Sequence, residues 1–214
     1  MISIRPKLAI SLGDPAGVGP EVILKAVSEP EFEQAADLMV VGNRQVLLKA
    51  YDTLSDHQKN IVHPDQLNLI DISTDTEAEW GKPSAQTGDL SFRCLDKAIA
   101  RALRQEIDGV VTAPIAKSAW KAAGHHYPGH TELLAERAGV ERFGMMFVAT
   151  SPTTGWQLRS LLVTTHIALS EVPKQLTPEV MTQKLSLLIE TLARDFGIDQ
   201  PKIAIAGPAI HDIG

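Results

Sequence analysis

The chain has a single cysteine, Cys94, among its 214 residues. That excludes an intrachain disulfide framework and a cysteine-rich zinc site, so any metal has to be held by histidine and carboxylate ligands. No apolar stretch reaches the ~20 residues that cross a bilayer as a helix. The N-terminal Met1-Ile2-Ser3-Ile4-Arg5-Pro6-Lys7 is not followed by an apolar run long enough for a secretion signal. Dense Lys/Arg blocks are missing and the formal net charge is −6, so neither nucleic acid nor a membrane is an expected partner. Internal repeats and low-complexity segments are absent too. What is there is 44% hydrophobic and 21% charged. This is an ordinary globular composition, with length for one sizeable core or two smaller α/β lobes. A cytoplasmic enzyme or binding protein is the expectation.

Short apolar runs alternate with segments of helical period. Residues 7–12, 38–41, 67–72, 108–112, 144–149, 157–164 and 202–206 read as strands. Helices are expected from Val22, around Val46 to Tyr51, from Leu90 to Leu103, over 115–123 and 132–138, and from Thr177 to Phe196. After the loop-like stretch 80–88, Leu90, Cys94, Leu95, Ala98, Ile99, Ala102 and Leu103 form one apolar stripe at helical period, which makes Cys94 a packed thiol. Asn43 and Thr131 stand where helix caps belong, and Thr177-Pro178 starts the last helix. The turn-rich 151–155 between two strands favours an antiparallel pair. The alternation as a whole gives an α/β protein with a mainly parallel sheet.

Several stretches could carry chemistry. The loop Gly13-Asp14-Pro15-Ala16-Gly17-Val18-Gly19-Pro20-Glu21 joins the first strand to a helix, an arrangement that favours anions. It matches neither the Rossmann G-x-G-x-x-G pattern nor Walker A, and its glycines have an alternative role in packing. Lys117 leaves the strand ending at Thr112, near the edge where α/β sheets bind ligands; it could hold a phosphate, or simply be an exposed surface lysine. Tyr127-Pro128-Gly129-His130-Thr131-Glu132 places an imidazole and a hydroxyl at a helix start, which suits a polar or anionic ligand.

The run Leu161-Leu162-Val163-Thr164-Thr165-His166 reads as a fully buried strand of a parallel sheet ending in a histidine. Alone, such a histidine is ordinarily one that bonds a loop carbonyl. His211 repeats the placement after residues 202–206, so His166 and His211 are a possible pair of metal ligands. A closed site needs at least one more ligand, and no histidine follows His211.

Taken together, the nine-residue loop from Gly13, Gly81-Lys82-Pro83-Ser84, Thr112-Ala113-Pro114, Tyr127-Pro128-Gly129-His130-Thr131-Glu132, Met145-Met146 and Thr164-Thr165-His166 resemble the 4-hydroxythreonine-4-phosphate dehydrogenases of vitamin B6 biosynthesis, the PdxA family. The motifs occur in the family's order across nearly the whole chain. The resemblance implies an isocitrate/isopropylmalate-dehydrogenase-like α/β fold in two lobes with a mainly parallel sheet, here divided into residues 1–125 and 126–214. It also implies a homodimer that acts on a small phosphorylated substrate. NAD would oxidise a secondary alcohol of 4-phosphohydroxy-L-threonine, or of a similar phosphorylated hydroxy acid, and the β-keto acid formed would lose carbon dioxide. A divalent metal (Zn, Mg or Co) would be held by histidines, of which His166 and His211 match two. His130 and Thr131 match the substrate-binding pair, and Lys117 is grouped with them.

Three departures qualify that expectation. Ala116 stands where the family usually has Asn, which suggests another substrate such as threonate 4-phosphate or a ring diol. The link 149–156 is longer than in the B6 enzymes. Around His211 the residues are Ala209-Ile210-His211-Asp212-Ile213-Gly214 instead of Asn-Pro-His-Ala-Gly-Glu. The family's chain is also longer, and its further segment carries a third metal histidine. The expectation is therefore a truncated form, with an inactive fragment that folds and binds phosphate or dimerises as the alternative. The general base and the NAD contacts are not assigned.

Overall fold

A computed structural model describes residues 5–55, 60–75 and 77–207. The chain divides into two compact units, Met1–Gly139 and Val140–Gly214.

The first unit is built on a four-stranded parallel sheet in the order β3-β2-β1-β4. Its strands are β1 (Lys7–Ser11), β2 (Asp37–Gly42), β3 (Leu69–Asp71) and β4 (Gly109–Thr112). β1 is flanked on both sides, by β2 and β4. Its Ala9 and the following Leu12 are therefore fully buried, as an apolar central strand of a parallel sheet requires.

Helices α1 (Gly19–Val27), α2 (Pro30–Ala35) and α3 (Arg44–Ser55) come from the first half of the unit. Pro20 sits in the first turn of α1, where a missing N–H costs nothing. Asn43 does cap α3: the Val46 N–H donates to its Oδ1 at 3.0 Å. α2 is the one helix here that the sequence did not announce; it is six residues long and buries none of them.

α4 (Ala85–Leu103) opens with a capping box in which Ser84 and Thr87 satisfy each other's backbone N–H groups. Its apolar stripe is two stripes. Leu90, Cys94 and Ala98 join the cluster against the sheet. Phe92, Leu95 and Ile99 join a second cluster with Trp120 and Leu133. Trp120 belongs to α5 (Lys117–Ala122) and Leu133 to α6 (His130–Ala138). α6 therefore shares a core with α4, and this is why the unit runs to Gly139. The division after residue 125 expected from the sequence is corrected accordingly: it would cut the second cluster in two.

The second unit holds an antiparallel pair, β5 (Met146–Thr150) and β6 (Gln157–Leu161), the short α7 (Val172–Gln175) and the long α8 (Pro178–Phe196). Thr177 caps α8 by accepting from the Val180 N–H at 3.3 Å. Two expectations fail here. The run through Leu161 is no buried parallel strand: among the described residues β6 pairs only with β5, antiparallel, and its residues are half-buried or exposed. Residues 202–206 form no strand, because no neighbouring backbone among the described residues pairs with them. No helix among the described residues is long and apolar enough to cross a membrane.

Candidate functional site

The carboxyl ends of β1 and β4 meet in the first unit. The Asp14 N–H donates to the Pro114 carbonyl at 2.8 Å, which ties the loop after β1 to the loop after β4. Gly13 has φ +71°, and a Cβ there would lie 2.4 Å from that same carbonyl oxygen. A Cβ on Gly19 would lie 2.4 Å from the Leu12 carbonyl oxygen. Gly13 and Gly19 are thus required by close backbone approach within the protein. The packing role is the one the structure bears out, rather than an open anion cradle.

From β4 the chain enters α5. Its N-cap, Ala116, offers no side-chain acceptor. Lys117 is the first helical residue and is exposed. α5 lies tightly on α4: a Cβ on Gly88 would stand 2.2 Å from the Ala119 carbonyl oxygen. Trp120 anchors it, fully buried, donating from Nε1 to the Ser91 hydroxyl at 3.1 Å.

α6 begins beside Lys117. Its N-cap is the extended Gly129, which makes no side-chain cap bond. Thr131 is therefore not the cap expected from the sequence; it lies inside the first turn, one residue after His130. The first N–H groups of a helix have no partner within it, and the helix dipole makes that end attractive to anions. The Lys117 Nζ lies 3.8 Å from where a Cβ on Gly129 would stand, and a Glu132 carboxylate oxygen lies 3.6 Å from the same point.

The half-buried His130 ring meets Trp120 edge to face, with centroids 5.9 Å apart. Burial holds its pKa below the ordinary 6.5, and the Lys117 charge pushes the same way. Lys117, His130 and Thr131 are thus gathered at one helix start, and an ammonium, an imidazole and a hydroxyl there can hold an anion.

Nearby aromatic residues brace this corner. Phe92 stacks on His125 at 3.7 Å, and His125 Nε2 is 3.1 Å from an Asp89 carboxylate oxygen. Tyr127 donates to Glu136 at 2.7 Å. These roles were not visible in the sequence, where His125 lies in a polar turn. Cys94 is fully buried, and burial pushes its thiol up to about 12 against the opposing charge of Arg93. It is a core residue, as its place on α4 suggested.

The expected metal ligands fare differently. His166 lies in the second unit, in an exposed coil five residues past the end of β6, with φ +58°. That is a left-handed conformation rarely adopted by residues other than glycine, though histidine is among those enriched there. His211 lies outside the described residues. No group of three or more His, Cys, Asp or Glu side chains able to hold a metal occurs among the described residues. The metal therefore does not fit the described residues by themselves.

A dinucleotide site is no better defined. The apolar cleft of about 340 Å³ beside the Gly-rich loop, walled by Val18, Thr53 and Trp80, is lined by Glu21 and by no basic residue. A pyrophosphate would find no counter-charge in that lining. The larger cavity, about 790 Å³, lies at the amino ends of β1 and β2 by Lys7 and Asp37, the edge at which open α/β sheets do not bind ligands.

A family model described as pyridoxal phosphate biosynthetic protein PdxA matches residues 33–211. The chain belongs to the PdxA family. A 4-hydroxythreonine-4-phosphate dehydrogenase of Nostoc sp. is 52% identical over 213 residues, covering 97% of this chain and 59% of that relative. The enzyme of the same name from Geobacter metallireducens is 37% identical, covering 96% of this chain and 62% of the relative. The crystal structure of the Klebsiella pneumoniae 4-hydroxythreonine-4-phosphate dehydrogenase superposes with a TM-score of 0.76 at 32% identity, over 92% of this chain and 62% of that one. A terephthalate 1,2-cis-dihydrodiol dehydrogenase from Burkholderia xenovorans, 19% identical with a TM-score of 0.56, shares the fold. The chain thus spans about three-fifths of the length of the PdxA relatives it matches. The fold and family expected from the ordered motifs are borne out.

Proposed function

We propose that this chain supplies the phosphate-binding part of a 4-hydroxythreonine-4-phosphate dehydrogenase. The whole protein would oxidise 4-phosphohydroxy-L-threonine, or a similar phosphorylated hydroxy acid, with NAD and a divalent metal. It would do so as a cytoplasmic homodimer in pyridoxal phosphate biosynthesis or related catabolism. The observation that carries this reading is Lys117 beside the start of α6. An entering phosphate takes the place of the Glu132 carboxylate over the helix end. It receives the Lys117 ammonium and the open N–H groups of the first turn. Thr131 adds a hydroxyl donor. His130, neutral before binding, gains a proton more easily once a dianion lies against it. The described residues by themselves complete neither the metal site nor the NAD site.

The test is calorimetry of the 214-residue chain with inorganic phosphate and with 4-phosphohydroxy-L-threonine, for native protein and Lys117→Met. A charged hydrogen bond is worth about 1.5–3 kcal/mol, so binding should weaken about ten- to hundredfold in the variant. Equal affinity of the two proteins, or no binding by either, would overturn the reading.

The lack of a three-ligand group among the described residues favours a second reading of the chain taken alone: it binds the phosphate ester without turning it over. NADH formation by this chain with added metal, lost in His166→Ala, would refute that.

A further inference from the structure

One polar contact runs through the otherwise apolar cluster between α4, α5 and α6. Ser91 on α4 is buried, and its hydroxyl accepts from the Trp120 Nε1 at 3.1 Å. Trp120 on α5 is fully buried. Its indole and the His130 ring stand 5.9 Å apart, centroid to centroid, with their planes at 85°. That is an edge-to-face contact at ordinary aromatic separation. Phe92 meets the same indole from α4 at 5.4 Å and 78°. Leu133, one turn after His130 on α6, packs into the same cluster. Turning the indole away from Ser91 would strand a buried N–H donor, which costs more than the bond itself is worth. Phe92 and Leu133 oppose its sliding, because a close-packed core has no empty space to move into.

His130 rests on this fixed wall. Among the described residues, no hydrogen bond ties the His130 ring to another side chain or to the backbone. Its placement comes from packing against Trp120, and Trp120 offers it no donor, since the indole N–H is engaged by Ser91. Lys117 stands on the same short helix as Trp120, three residues earlier, so α5 supplies both an apolar and a charged neighbour to the imidazole. Lys117 and Glu132 are the charged groups brought to this corner. Water excluded on the Trp120 side disfavours the imidazolium, in the same direction as the Lys117 charge.

We propose that Trp120 is a positioning residue: locked by Ser91, it holds the His130 imidazole in one orientation at the start of α6, with the ring nitrogens left free for the ligand. The inference rests on the phosphate site proposed above. A binding group whose orientation is set by packing and by a hydrogen bond behind it does not have to be ordered when the ligand arrives. Ser91, which lies on α4 and makes no contact with the phosphate, thereby acts on its binding through two aromatic rings.

The experiment compares the native chain with Trp120→Leu, Ser91→Ala and His130→Ala. In phosphate-free buffer, NMR titration of the His130 ring should show its pKa rising toward 6.5 in Trp120→Leu and, by less, in Ser91→Ala. Calorimetry with inorganic phosphate should show binding weakened about two- to tenfold in both, the cost of ordering one side chain on binding. In the His130→Ala background, neither change should weaken binding further, because the effect passes through the imidazole. Ser91→Ala keeps every reading available if Trp120→Leu does not fold. An unmoved ring pKa in the folded variants would overturn the proposal. So would an equal loss of affinity with and without His130, which would reduce Trp120 to packing alone. Absence of phosphate binding by the native chain would instead overturn the phosphate site, and the ring titration would then decide for or against Trp120 by itself.

Discussion

His130 is governed by two neighbours, and the residue-scale prediction follows from their order. Burial against Trp120 is the larger cause of its lowered pKa and the Lys117 charge the smaller. Removing that charge in Lys117→Met should raise the imidazole pKa, followed by NMR titration of the ring protons, and still leave it below 6.5. An unmoved pKa would separate the two side chains. The linkage has a definite sign. Between the lowered folded pKa and the unfolded value of 6.5, the unfolded chain holds the proton and the folded one does not. The His130 contribution to stability is therefore complete above that window and falls as pH drops through it. Lys117 and His130 could be singled out from spacing and from the family motifs, because strand-end and helix-start positions follow from local pattern. Their mutual approach could not, because it depends on how α5 and α6 pack on α4. Thr131 shows the limit at a single residue: a threonine before a helical run reads as a cap, but the helix starts two residues earlier and Gly129 takes that position.

At the scale of the element, α4 organises the first unit. One face meets the sheet through Leu90, Cys94 and Ala98, and the other meets α5 and α6 through Phe92, Leu95 and Ile99. Gly88 is where α5 comes closest, with no room for a methyl group before the Ala119 carbonyl. Gly88→Ala should cost about 1–3 kcal/mol, as overpacking does, read as a lower urea midpoint. Because α5 carries Lys117, the same variant should also weaken phosphate binding. A full-strength binder with a lowered midpoint would show that α5 holds Lys117 in place despite the displaced backbone. The helical period of α4 was plain in the sequence. That its apolar residues serve two partners was not, since a stripe wide enough for two faces reads as one.

Across the whole molecule, burial is uneven. Of the buried hydrophobic residues among the described ones, Leu192 alone lies beyond Gly139. Elements with few buried contacts open locally at low cost. Amides of β5 and β6 in this chain should therefore exchange at least about tenfold faster than those of β1, a difference of ~1.4 kcal/mol or more. Equal protection in both units would contradict that. The sequence by itself determined the alternation of strand and helix in the first unit, the core position of Cys94, the cap Asn43, the helix start at Thr177-Pro178, and the family. These rest on short-range periodicity, turn chemistry and ordered motifs. Only the tertiary structure decided that α6 belongs with the first unit, that Gly13 and Gly19 serve backbone packing, and that residues 202–206 pair with no other backbone among the described residues. Whether an apolar, β-branched run becomes a strand depends on a neighbouring backbone to bond to, and no local pattern carries that information.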